Sequence, residues 1–198
     1  MNETTAHTIS VDSCAINFLR AGQPGNPTVI LLHGMKFQAG TWKELGTLDH
    51  LARAGFQAIA LDMPGFGRSP ACSAEQDDVL EAFLRKMGPQ AILVGPSMGG
   101  RIALEFTIRH QDLVRALVLV GAVGVEENRS NLSSISVPTL LVWGGNDRIS
   151  PLTNCELLHS AIHGSKKIII EGASHPCYLD NPDTWHRELV NFLNLPAE

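Results

Sequence analysis

Apolar residues in this chain fall into short continuous runs that alternate with longer stretches of helical spacing. The run TVILL at Thr28–Leu32 is typical of a strand buried on both faces, because it lacks polar alternation. Other β-rich runs predict strands at Thr8–Val11, Ala15–Arg20, Phe56–Leu61, Ala91–Val94, Ala116–Val120, Pro138–Trp143 and Lys166–Ile170.

Helical spacing fills most of the intervals between these runs. Leu45, Leu48 and Leu51 recur on one face and predict a single helix over Thr41–Ala54. Further helices are predicted at Ser73–Met87 with Ser73 as its cap, from Met98 to about His110, at Leu152–Ile162 and at Asp183–Leu193. This alternation predicts the α/β class, with a mostly parallel sheet flanked by helices. Such sheets bind ligands at the carboxyl ends of their strands.

The pentapeptide Gly95–Gly99 (GPSMG) directly follows the predicted strand Ala91–Val94. It matches the pattern G-x-S-x-G, in which a strand ends in a strained turn that exposes the serine hydroxyl. The flanking glycines allow the backbone to turn that tightly. A five-residue match can arise by chance, so the rest of the chain has to decide whether Ser97 is a nucleophile.

Two later residues complete the chemistry that a serine nucleophile needs. Serine requires a base, and the base requires an acid to orient it. Asp147 comes just after the strand Pro138–Trp143, and His175 comes just after the strand Lys166–Ile170. The order serine, acid, histidine is the one that accompanies the G-x-S-x-G turn. We therefore predict a triad of Ser97, Asp147 and His175 at one edge of the sheet.

Other residues of the right chemistry compete less well for these roles. Asp62 precedes the serine and lies in a Pro-Gly turn, which an aspartate commonly caps. We expect His33 to bond local backbone and shape its loop. Cys177 lies two residues from His175, and it is either a small buried hydrophobe or a second nucleophile. The histidines at 50, 110, 159 and 163 fall in or near helices, where surface histidine is common.

Hydrolysis of an acyl compound also requires two backbone N–H groups at the oxyanion. We predict Met98, directly after the nucleophile, and Met35, in the loop after the strand that ends at His33, as these donors. Their side chains either line the acyl site or fill the core. Three residues that follow the same loop are predicted to border the substrate: Lys36, Phe37 and Trp42. For Phe37 and Trp42 the alternative is packing in the core.

Composition narrows the function classes. A chain of 198 residues, 44% of them hydrophobic, favours a single domain spanning residues 1–198. The net charge of −5 disfavours nucleic acid and anionic membranes as partners. The start of the chain lacks the pattern of a signal peptide, and we expect a cytoplasmic protein whose four scattered cysteines are reduced. No motif predicts a metal or a cofactor.

Taken together, these motifs resemble those of α/β-hydrolases over nearly the whole chain. Within that superfamily the chain is similar to the small α/β-hydrolase-domain-containing protein 14 type, most specifically in the run HPCYLD at residues 175–180. The resemblance implies about eight strands with the second antiparallel, and hydrolysis of small acyl esters. It also implies acyl transfer to a thiol acceptor such as coenzyme A as an alternative.

One connection distinguishes this chain from many α/β-hydrolases. Only residues 121–137, mostly polar, separate the strands that would flank a helical cap, so we predict an open site without a cap domain. The leading hypothesis is a serine carboxylesterase. The alternatives are a thioesterase, acyltransferase or perhydrolase with the same triad, and a non-catalytic interaction module on a hydrolase scaffold. The oligomeric state is not predicted.

Overall fold

Eight strands form the centre of the protein. A computed structural model describes residues 3–88 and 90–195, so the ends of the predicted domain 1–198 lie outside the described residues. The strands are β1 (Thr5–Val11), β2 (Cys14–Ala21), β3 (Thr28–Leu31), β4 (Gln57–Leu61), β5 (Ala91–Pro96), β6 (Val114–Val120), β7 (Thr139–Gly144) and β8 (Lys166–Ile170).

The sheet has the order β1-β2-β4-β3-β5-β6-β7-β8. Strand β2 is antiparallel to both of its neighbours, whereas β4, β3 and β5 to β8 are parallel. The prediction of a mostly parallel sheet of about eight strands with an antiparallel second strand is confirmed. The carboxyl ends of β3, β5, β6, β7 and β8 consequently lie at one edge.

Helices cover both faces of the sheet, which explains why the central strands are continuous apolar runs. The helices are α1 (Ala39–Glu44), α2 (Thr47–Arg53), α3 (Gln76–Met87), α4 (Met98–Arg109), α5 (Leu152–Ala161), α6 (Cys177–Asp180) and α7 (Pro182–Leu193). One core cluster joins the sheet to α3, α4 and α5, and the other joins it to α1, α2, α6 and α7.

Two helix boundaries differ from the prediction. The helix predicted over Thr41–Ala54 is interrupted, because Gly46 adopts φ +82° and separates α1 from α2. The third helix begins at Gln76 rather than after Ser73. The irregular segment before it contains Cys72, which is bonded to Cys14 and thereby held against the β1–β2 hairpin.

The Cys14–Cys72 disulfide corrects the expectation that all four cysteines are reduced. It links residues 58 positions apart, whereas Cys155 and Cys177 are free and buried. Disulfides persist mainly in oxidising compartments, and the predicted cytoplasmic location stays a prediction. Within residues 3–88 and 90–195, no helix combines the length and the apolar character needed to cross a membrane.

The connection between β6 and β7 contains a 3₁₀ segment, Glu126–Ser134, in place of a cap domain. Three apolar side chains anchor the connection to the core: Val125, Leu132 and Ile135. Asn128 adds a hydrogen bond from Nδ2 to the Gly124 carbonyl at 2.8 Å and another to Glu105 on α4 at 3.1 Å. The connection is thus packed down rather than arranged as a multi-helix lid.

Candidate active site

Ser97 occupies the sharp turn between β5 and α4. Its backbone has φ 51° and ψ −115°, a strained combination for a residue with a side chain. The turn is possible because Gly95 lacks a side chain, as a Cβ there would collide with the backbone of Gly99. The N–H of Ser97 donates to the Val120 carbonyl at 3.0 Å, which ties the turn to the end of β6.

Asp147 and His175 meet after β7 and β8. The Nδ1–H of His175 donates to Oδ2 of Asp147 at 2.8 Å. The other carboxylate oxygen, Oδ1, accepts from the N–H groups of Ile149 at 2.8 Å and Ser150 at 2.9 Å. The Asp147 side chain is fully buried, so these three donors are what satisfy its charge.

The remaining ring nitrogen of His175 is not engaged. Nε2 is enclosed by the protein and has no hydrogen-bond partner within the described part of the chain. In the neutral ring with its proton on Nδ1, Nε2 carries a lone pair. The structure therefore brings Asp147 and His175 into contact, whereas Ser97 and His175 are not hydrogen-bonded in this conformation. Such contacts are often long in ligand-free enzymes.

The segment after β6 places the serine beside the Asp–His pair. Val120 and Val123 both bond the Ser97 backbone, the latter through its N–H to the Ser97 carbonyl at 3.3 Å. Between them, a Cβ built on Gly121 would lie 3.0 Å from Asp147 Oδ2 and 3.3 Å from His175 Nδ1. One short segment thus contacts both Ser97 and the Asp–His pair.

The loop after β3 borders Ser97 from the other side. A Cβ built on Gly34 would lie 3.6 Å from the Cβ of Ser97, so Met35 begins directly beside the serine. The Met35 side chain is 67% exposed, and Met98 is half-buried against the core. The role of the Met35 and Met98 N–H groups as oxyanion donors stays a prediction.

His33 and Asp62 have structural roles in these loops, as expected. His33 donates from Nδ1 to the Gly34 carbonyl at 2.9 Å and accepts the Met63 N–H at Nε2 at 3.2 Å. Burial lowers the pKa of His33, which favours this neutral form. The Asp62 carboxylate accepts from the Ala39 N–H at 2.7 Å and also from Asn17 and Arg68.

Comparison with known proteins identifies the family of the fold. A family model described as the alpha/beta hydrolase fold matches residues 27–134. The chain belongs to the α/β-hydrolase family. A rat (Rattus norvegicus) relative named "Putative protein-lysine deacylase ABHD14B" is 34% identical, with 89% of this chain and 90% of that protein covered. Protein ABHD14A of Danio rerio is 37% identical over 84% of this chain and 64% of its own.

Solved structures of α/β-hydrolases superpose closely on the chain. A "predicted CIB-like hydrolase" from Thermoplasma acidophilum has a TM-score of 0.94 at 26% identity, covering 98% of this chain and all of that one. A serine hydrolase involved in carbazole degradation has a TM-score of 0.87 at 22% identity and covers 98% of this chain and all of its own; at that identity it shows the fold alone.

The predicted substrate-contacting residues divide into exposed and buried. Lys36 is exposed and Phe37 is half-buried, so both remain candidates at the site. Trp42 is only 1% exposed, and its indole N–H donates to the Leu32 carbonyl at 3.0 Å. Its ring packs beside Tyr178 and Trp185. The structure therefore supports the core alternative for Trp42 and corrects its assignment as a substrate contact.

Neither free cysteine has the properties of a nucleophile. Burial, with smaller contributions from the carboxylates of Asp147 and Asp180, raises the pKa of the Cys177 thiol to about 12. Burial also raises the pKa of Cys155 to about 12. Both thiols are therefore protonated and unreactive near neutral pH. Within the described ranges, no three potential ligands among His, Cys, Asp and Glu gather as a metal site.

Two residues of the site were not predicted from the sequence. Ile149 follows Asp147 by two positions and is 66% exposed. Asp180 bonds the residue that precedes His175. The position of Ile149, two residues after the predicted Asp147, is a sequence signal that could have placed it near the site. No sequence pattern indicates that Asp180 turns back toward Ser174.

Proposed function

We propose that the protein is a serine hydrolase, and most specifically a carboxylesterase for small acyl esters. The observation that carries this proposal is the combination of a serine, a histidine and an aspartate at one edge of the sheet. Ser97 lies in a strained turn, and His175 presents an unpartnered Nε2 while its Nδ1–H is bonded to buried Asp147. A protein that only binds partners has no need of this arrangement.

Each group has a defined role in the proposed reaction. Ser97 Oγ attacks the ester carbonyl carbon while its proton passes to His175 Nε2. Asp147 holds the imidazole in the required tautomer and stabilises the imidazolium. The same proton then goes to the leaving alcohol, and water hydrolyses the acyl-enzyme with His175 again acting as base. The N–H groups of Met35 and Met98 stabilise the oxyanion.

The surroundings of Ser97 favour small or reactive acyl groups. The β6–β7 connection is anchored to the core and lacks a cap domain, and Ser97 is half-buried, so no multi-helix lid seals the serine from water. Met35 and Ile149, each about two-thirds exposed, belong to the two loops beside the proposed site. Their apolar side chains are suited to contact the hydrocarbon part of a substrate.

A second candidate is deacylation of lysine side chains or acyl transfer to a thiol acceptor. The name of the ABHD14B relative and the lack of a cap domain support it, because an uncapped site could admit an acylated side chain of another protein. Thioesterase and perhydrolase activities would use the same groups. Product analysis with an acetyl-lysine peptide and an acetyl ester, each with and without added thiol or peroxide, separates these reactions.

The decisive experiment is the Ser97→Ala substitution. We expect turnover of a short-chain aryl ester to fall by several orders of magnitude, comparable with roughly 10⁶-fold losses in other serine hydrolases. Labelling by a fluorophosphonate probe should disappear as well. The matched control is Ser160→Ala, which changes an exposed serine on α5. Turnover that survives in the folded Ser97 variant would refute the proposal, and absence of labelling in wild type would favour an interaction module.

A further inference from the structure

We propose that Asp180 is a positioning residue that holds the His175 imidazole on Asp147 and directed toward Ser97. This inference rests on the proposed function. Asp180 is the last residue of α6, and its carboxylate folds back onto the turn that carries His175. Its hydrogen bonds go to that turn rather than to the cleft, so its contribution to the reaction passes through the histidine.

A single oxygen of Asp180 fixes the residue before the histidine. Oδ2 accepts the backbone N–H of Ser174 at 2.7 Å and the Ser174 hydroxyl at 2.6 Å. These hydrogen bonds lower the pKa of the Asp180 carboxyl, so the carboxylate form persists throughout the neutral range. Charge-assisted bonds of this length are stronger than neutral ones, although this pair is exposed to solvent.

The opposite side of the same turn is held by the loop after β7. The Ala173 carbonyl accepts the Asn146 N–H at 2.9 Å. Gly144 lies so close that a Cβ there would collide with the carbonyls of Ala173 and Ser174. The turn is therefore clamped on its carbonyl side by the loop that carries Asp147, and on its N–H side by Asp180.

Helix α6 turns the chain back toward Ser174, so that residues 174–180 form a hydrogen-bonded loop. The N–H groups of Leu179 and Asp180 donate to the Pro176 carbonyl at 2.8 and 3.2 Å. His175 therefore lies within a loop of residues 174–180 whose two ends are joined by the Asp180 carboxylate. Loss of that carboxylate opens this loop directly beside the His175 imidazole, whereas the buried Asp147 stays in place.

Small displacements of a base have large kinetic effects. A misplacement of about 1 Å can reduce rates roughly 10²-fold. We expect Asp180→Ala to lower kcat by about 10- to 100-fold with little change in KM, because Asp180 does not bind substrate. The apparent pKa of the acid limb of kcat/KM should move to lower pH, because a displaced imidazolium loses the stabilisation by Asp147.

Three companion variants separate geometry from charge and from stability. In Asp180→Asn, one amide oxygen can accept both Ser174 bonds, so we expect most of the activity to return. Ser174→Ala removes the hydrogen bond from the hydroxyl to Asp180 and keeps the backbone one. Its kcat should therefore lie between those of wild type and Asp180→Ala. The matched control is Asp183→Asn, an exposed carboxylate on the first turn of α7, which should behave as wild type.

The readouts are kcat, KM, the fluorophosphonate labelling rate, the pH profile and the melting temperature of each variant. A lower melting temperature in Asp180→Ala with unchanged kcat and acid-limb pKa would overturn the inference, because that is the result of a purely structural role. Equal losses in the Asn and Ala variants would also overturn it. Ser97→Ala is measured in the same assay: if it retains turnover, the proposed function itself fails.

Discussion

At the scale of single residues, Gly121 shows how a position without a side chain controls the site. It has φ +51°, and a Cβ there would approach both Asp147 and His175. We predict that Gly121→Ala loses activity by at least about tenfold, because the new methyl group displaces the Asp–His pair. Steady-state kinetics with an aryl ester, together with a melting curve, check this prediction.

The control for Gly121→Ala must share its backbone strain without its contacts. Gly164 has φ +73°, and a methyl group there would have no atom within 4 Å, so Gly164→Ala meets only the backbone strain. Strain of that kind costs on the order of 1–2 kcal/mol. Both variants should melt at a lower temperature, and only Gly121→Ala should lose activity. Equal activity losses would mean that strain, rather than the contact with the pair, is the cause.

At the scale of elements, helices α2 and α7 are joined by two stacked histidines. The rings of His50 and His186 lie 4.0 Å apart and nearly parallel, beside a cavity of about 510 Å³. His186 is buried and accepts the Thr47 hydroxyl at Nε2 at 3.0 Å, which requires a neutral ring. The contact between the helices therefore depends on the protonation of His186.

Acidification should weaken this contact. Burial lowers the pKa of His186 to about 4, with smaller effects of His50 and Arg53 in the same direction and of Asp183 in the opposite one. The unfolded chain takes up this proton near pH 6.5, so the free energy of unfolding falls as the pH is lowered from about 6.5 to 4. We expect the melting temperature at pH 5 to lie several degrees below that at pH 7.

Substitution of the histidine tests the origin of the acid effect. His186→Gln keeps an acceptor for Thr47 but cannot be protonated, so its melting temperature should fall less between pH 7 and 5. His163→Gln changes an exposed histidine, so its melting temperature should fall between pH 7 and 5 as much as that of wild type. If the melting temperature of His186→Gln falls between pH 7 and 5 as much as that of wild type, other groups are responsible for the acid effect.

The strands and the later helices could be predicted because their cause is local. Apolar runs with no alternation are what a sheet covered on both faces requires, and all eight predicted strands are present. The break at Gly46 was missed because Leu45, Leu48 and Leu51 keep helical spacing across it. Helix α6 is a single turn of four residues, too short to leave a periodic signal.

At the scale of the whole molecule, the approach of Asp147 to His175 could be predicted because each follows a strand of one parallel sheet. The burial of Trp42 could not, because it depends on Tyr178 and Trp185, more than 130 residues further along the chain. The link between Cys14 and Cys72 was missed for the same reason. Nothing near either cysteine indicates that the β1–β2 hairpin packs against the segment before α3.

The disulfide joins that hairpin to the loop that begins at Asp62. The same two elements are also bonded by Asn17, whose N–H donates to the Ser69 hydroxyl at 2.8 Å and whose amide donates to Asp62 at 2.9 Å. Since Asp62 in turn holds the start of α1, the hairpin supports the loop that follows β3. Stabilisation of the hairpin should therefore extend toward the site.

Reduction of the disulfide should destabilise the whole fold. A link that closes 58 residues restricts the unfolded chain by up to about 4 kcal/mol in the entropic model. We expect dithiothreitol, and equally the double substitution Cys14→Ser with Cys72→Ser, to lower the melting temperature by on the order of 10 °C. The double variant should not respond further to dithiothreitol, which makes it the control for other effects of the reductant. Four titratable thiols in the unreduced, denatured protein, with a melting temperature that reductant leaves unchanged, would show that the bond does not form.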